Sequence, residues 1–84
     1  MARRKQTLDD LLRPLLAAER FSVWCKDVAR VSPWTILRIR QGRSTNIHRG
    51  TVLAIVSGLA AEGIEASEDV VRAACEASRD QAAK

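Results

Sequence analysis

Between Ser32 and Gly42 the chain spells out both ends of one short helix. Ser32 is a good N-cap, and Pro33 fits the first helical position, where a missing N–H costs nothing. Gly42 supplies the residue that most readily takes the left-handed turn ending a helix. The spacing predicts a helix over about residues 32–41, with Ile36 and Ile39 three apart and turned to a core. In a chain of 84 residues, such a helix belongs to a single domain with one modest core and little room for a buried catalytic cavity.

The rest of the chain repeats the same short-helix grammar. Leu8, Leu11, Leu12, Leu15 and Leu16 recur at three- and four-residue spacing and mark a first helix over about 7–19. Thr7 is its candidate N-cap, with Asp9 and Asp10 favourably placed in the helix dipole. Pro14 falls inside this helix and predicts a distortion there. Ser22 is a candidate cap for a second helix ending near Ala29, with Val23, Trp24, Cys25, Val28 and Ala29 as its apolar members. Arg30 and Val31 form a short connection, and residues 43–47 read as a polar loop. A fourth helix covers roughly 48–61, with Val52, Leu53, Ile55, Val56 and Leu59, and ends at Gly63. A fifth begins after Ser67, with Glu68 and Asp69 in its first turn. Residues 81–84 are expected to fray. Nothing reads as a strand. The expectation is an all-α fold, a compact bundle of about five short helices. It divides into a basic arm (1–6), a central unit (7–66) and a C-terminal helix (67–84).

Charge adds a direction. The net charge is +4, and 46% of the residues are apolar, so the chain is not a disordered polyelectrolyte. Residues 20–50 hold seven basic side chains against Asp27 alone, or +6, whereas residues 51–84 carry −3. A basic middle beside an acidic end suggests a positive face aimed at a polyanion; an ordinary solvated surface of uneven charge is the alternative. No apolar run is long enough to span a bilayer. The basic start, Met1 to Gln6, is followed by no continuous apolar stretch and does not read as a secretion signal, so the expected location is cytoplasmic. Cys25 and Cys75 are then expected as two free buried thiols rather than a disulfide.

Catalytic chemistry finds little support. The chain has no phosphate loop and no Ser or Cys nucleophile with a spaced His. The acidic pairs Asp9-Asp10 and Glu68-Asp69 both open helices, where the dipole accounts for them. His48, the one histidine, has no ligand-type neighbour at metal-site spacing and fits the start of the fourth helix. No enzyme activity, metal, cofactor or small-molecule ligand is expected.

Two short helices joined by a tight turn, the second opening with Val-Ser, match a helix-turn-helix. Through Val31, Ser32, Thr35, Ile36, Ile39 and Gly42 the chain resembles the Cro and lambda-repressor family of phage and bacterial regulators. Asn46, Thr51 and Val52 extend the likeness into the loop and fourth helix, so that it covers about residues 8–61. There are departures. The family usually carries a small residue, mostly Ala, four positions before a turn glycine; here Lys26 and Arg30 occupy those positions. Val28-Ala29 looks like the expected apolar-Ala pair but sits closer to the turn, so the second helix is shifted or the turn is unusual.

The resemblance implies a transcriptional regulator, such as a repressor, that lays the 32–41 helix in the major groove of double-stranded DNA. Pro33, Trp34, Leu37 and Arg38 face outwards and are the candidate base contacts. Arg38 is the foremost of these, because arginine bonds guanine O6 and N7 bidentately. Candidate phosphate contacts are Ser22, Thr35, Arg40, Gln41 and Arg43, with Arg3, Arg4 and Lys5 on an arm that either wraps the duplex or stays a solvated terminus. A single recognition helix reads few bases, so a homodimer is expected, with Val70, Val71, Ala74 and Cys75 as the candidate dimerisation surface; closing the monomer core is their alternative role. Two other functions fit the same sequence. One is a protein-interaction module, such as the antitoxin of a toxin–antitoxin pair. The other is a small architectural DNA binder without strong specificity.

Overall fold

Thr7 opens the first helix as a reciprocal cap. Its hydroxyl accepts from the Asp10 N–H at 3.3 Å, and the Asp10 carboxylate accepts from the Thr7 N–H at 2.9 Å. In the computed structural model, which describes residues 6–43 and 47–82, helix α1 then runs over Leu8–Ala17. It continues through Pro14, whose side chain is exposed, while Leu8, Leu11, Leu12 and Leu15 are buried on the other face. Four more helices follow. Helix α2 spans Phe21–Val23 and continues as a π-helix over Trp24–Ala29. Helix α3 is Pro33–Arg40, α4 is Arg49–Ala61 and α5 is Glu68–Ala82. No strand occurs among the described residues, and the fold is a small all-α bundle.

The caps place the helix ends. Glu19, Gly42 and Gly63 all have positive φ (57°, 74° and 77°), and each is followed by a residue whose N–H reaches back five positions: Arg20 to Leu15, Arg43 to Arg38, Ile64 to Leu59. This is the Schellman closure, which occupies carbonyls the helix leaves open. Glycine takes the left-handed position without strain, whereas a side chain there costs about 1–2 kcal/mol. Glu19→Gly is therefore expected to stabilise the fold by roughly 0.5–1 kcal/mol in urea denaturation, the gain being trimmed by the extra freedom glycine has when unfolded. A loss of stability would contradict this account of the α1 end.

One core joins all five helices. Leu8, Leu12, Trp24, Ile36, Ile55 and Leu59 are each completely buried in it. Burial of each aliphatic member contributes about 1.5–3 kcal/mol of hydrophobic stabilisation. Helix α4 packs on the π segment of α2, and α5 packs across α1, α3 and α4. Two polar links lock these layers. The Trp24 indole Nε1 donates to the Gly58 carbonyl at 2.9 Å. The buried Ser78 hydroxyl accepts from the Leu8 N–H and donates to the Ala74 carbonyl, both at 3.0 Å, which ties the start of α1 to α5. Gly58 lets α2 approach closely. A Cβ on it would lie 2.8 Å from Trp24 Cζ2 and 3.0 Å from Ala29 Cβ.

Helix α5 corrects the expected dimerisation surface. Val71, Ala74 and Cys75 are 0%, 1% and 3% exposed and belong to the monomer core, so they are spent before a partner arrives. Only Val70 of that set is exposed. Helix α2 corrects the expected Ser22 cap. The N-cap position is Arg20, with no side-chain cap, and Ser22 lies exposed within the first turn. No helix among the described residues is long and apolar enough to cross a membrane.

Candidate nucleic-acid interface

The unusual part of the α2–α3 pair is its first half. A π-helix fits more residues into each turn, with bonds from residue i to i−5. Here Arg30 takes a left-handed backbone, φ 57° and ψ 41°. The N–H groups of Arg30 and Val31 both point to the Cys25 carbonyl, the latter at 2.9 Å. The widened turns keep Trp24, Cys25 and Ala29 in the core and leave Lys26 and Asp27 exposed. The chain therefore accommodates its departures at Lys26 and Arg30 by changing the helix type and bending the turn through a non-glycine residue.

Helix α3 follows with Pro33 at its first position; Ser32 stands at the N-cap but makes no side-chain capping bond. Ile36 and Ile39, 0% and 2% exposed, seat the helix on the core. The helical period then turns positions 34, 37, 38 and 41 outwards as one stripe. Trp34 is 61% exposed, Arg38 and Gln41 are exposed, and Leu37 is half-buried between them. Pro33 and Thr35 are half-buried at the edges of this stripe. Arg43 is exposed just beyond the Gly42 stop, and Ser22 is exposed at the start of α2. Arg3, Arg4, Lys5 and Asn46 lie outside the described residues.

Arg40 departs from the expected phosphate role. Its Nε donates to the Asp9 carboxylate, and its guanidinium carbon sits 4.9 Å from the centre of the Phe21 ring. Its charge is already neutralised by α1 and stacked on α2, so Arg40 is a brace between helices. Four further cations are paired in the same way. Arg13 meets Asp10, Arg20 meets Glu62, and Arg49 and Arg72 share Glu68. The Arg49 hydrogen bond, aided by Arg72, holds the Glu68 carboxyl below the usual carboxylate range against the opposing effect of desolvation.

The remaining cations are distributed unevenly. Among the described residues, Lys26, Arg30, Arg38 and Arg43 have no carboxylate within ion-pair distance, and all four belong to α2, the turn, α3 or the residue after its stop. Arg79, in the last turn of α5, is the other such cation and lies where the helix dipole favours it. Lys26, Arg30, Arg38 and Arg43 thus stand without a carboxylate partner along α2 and α3, beside the exposed Trp34 and Gln41. Comparison with family models, with curated proteins and with solved structures returns no match.

The thiols offer no alternative chemistry. Cys25 and Cys75 are free and buried, as expected. Burial pushes each thiol up to about 11, outweighing the opposing pull of Arg40 on Cys25 and of Arg72 on Cys75. Both are protonated at neutral pH and poor nucleophiles. An unfolded thiol ionises near 9 and a folded one near 11, so unfolding releases protons between these values. Stability is expected to hold below pH 9 and to fall as the pH rises towards 11. At pH 8, iodoacetamide should modify both cysteines in urea and neither in the native protein. Rapid native labelling of either would contradict their burial.

Proposed function

We propose that the protein is a sequence-specific regulator that binds double-stranded DNA with α3 in the major groove. The observation that carries this reading is the stripe of Trp34, Leu37, Arg38 and Gln41 on a helix whose neighbouring cations are uncompensated. Unpaired exposed charges repel one another within a protein, and a polyanion relieves that repulsion. A helix fits the major groove, where each base pair presents a distinct edge. Arg38 reads a guanine there, and Trp34, Leu37 and Pro33 take apolar contacts with thymine methyl groups. Gln41, Arg43, Thr35 and Ser22 fix the helix on the flanking backbone. Two copies of the chain, each reading one half-site, supply the number of bases that specificity needs.

Selection of bound duplexes from a random pool tests the reading. A regulator enriches a palindromic motif, with half-sites about 34 Å apart. It binds this motif ~10³-fold or more tighter than random duplexes. Enrichment of no motif, with only a steep fall of affinity with salt, marks a non-specific binder and overturns it.

A further inference from the structure

An open cleft lies where α2 ends and α3 begins, lined by Lys26, Asp27, Arg30, Val31, Ser32 and Pro33. We propose that this cleft is a binding site for a backbone phosphate of double-stranded DNA, gripped by Lys26 and Arg30 beside the groove that α3 occupies. The proposal rests on the DNA-binding reading of α3 and deepens it, because neither residue belongs to the stripe that reads bases.

Three observations support it. First, Lys26 and Arg30 line the same cleft, one from the last turns of the π segment and one from the turn that follows it. Asp27 also lines the cleft, and the two cations against this one carboxylate leave a net charge of +1. Second, Arg30 stands in a left-handed backbone that glycine would adopt without strain. The fold alone gives no reason for an arginine there; an anion opposite its guanidinium does. Third, the π-helical turn keeps Lys26 exposed while its neighbour Cys25 and Ala29 are buried, so a cation occupies the cleft wall without disturbing the core. The Ser32 hydroxyl, which caps nothing, is a further donor on the same wall. A phosphodiester matches this set: one negative charge, two acceptor oxygens, and a fixed distance from the base edges that α3 reads.

The substitutions separate binding from folding. Arg30→Gly removes the charge and relieves the backbone strain, so its melting temperature should equal or exceed that of the wild type while its DNA affinity falls. Lys26→Gln removes the other charge from an exposed position. Dissociation constants are measured for the selected duplex and for a random duplex across a salt series. Each variant is expected to weaken binding about fivefold at 0.15 M salt, equally on both duplexes, and to lower the slope of log affinity against log salt by about 0.9. Unchanged affinity and slope in both variants, with wild-type binding intact, overturn the phosphate site alone. Weakening confined to the selected duplex also overturns it, since phosphate contacts carry no sequence. A wild type that binds neither duplex overturns the DNA-binding reading and this site with it.

Discussion

Replacing Trp24 by alanine is expected to destabilise the protein by about 3–5 kcal/mol. The side chain is completely buried between α2 and α4, and its indole N–H holds the Gly58 carbonyl at 2.9 Å. Alanine leaves a large cavity and removes the donor from a buried acceptor. Gly58 cannot close over the gap, because it has no side chain to bring. A domain of this size has on the order of 5–10 kcal/mol of stability, so the loss is a large share of the whole. Thermal denaturation followed by circular dichroism should show the midpoint lowered by about 15–30 °C. A shift of only a few degrees would mean that Trp24 does not hold α2 on α4. The consequence extends to the proposed interface, since α2 leads through the turn into α3.

The largest effect on recognition is expected from Arg38→Ala. Arg38 is exposed on the outward stripe of α3 and has no carboxylate partner among the described residues, so its removal leaves the fold intact. Stability should change by less than about 0.5 kcal/mol, as for an ordinary surface position. Selection from a random pool should return the wild-type motif with one base-pair position relaxed in each half-site. A bidentate arginine–guanine pair carries about 1–3 kcal/mol of discrimination, or roughly 5- to 150-fold between the preferred and other bases. If the variant selects the same motif with the same affinity, Arg38 is not a reading residue.

Local chemistry in the sequence accounted for most helix ends. Thr7, Pro33, Gly42, Gly63 and Ser67 occupy the positions that short-range capping rules assign them, and Ser67 Oγ accepts from the Val70 N–H. The apolar stripe of α3 likewise followed from Ile36 and Ile39. What could not be read there depends on neighbours distant in sequence. The α5 residues Val71, Ala74 and Cys75 look the same whether they face a partner or α1 and α4, because an apolar stripe does not name its cover. Arg40 reads in the sequence as a phosphate contact, because its partner Asp9 lies 31 residues away. In the sequence, Lys26 and Arg30 stand out only as departures from a pattern. Their signal in the sequence is a charged residue at a glycine position, whereas the π-helical turn that joins the two packs Trp24 and Ala29 against Gly58, far along the chain.

The two tryptophans give the most direct test of the proposed DNA contact. Trp34 is 61% exposed on the outward stripe of α3, whereas Trp24 is fully buried and bonded to Gly58. Their indole N–H signals are resolved from backbone amides in a ¹⁵N-labelled sample, and Trp34→Phe assigns them. On titration with the selected duplex, the Trp34 signal is predicted to shift or broaden to saturation while the Trp24 signal stays in place. A duplex that binds yet leaves the Trp34 signal unmoved would contradict the assignment of α3 as the recognition helix.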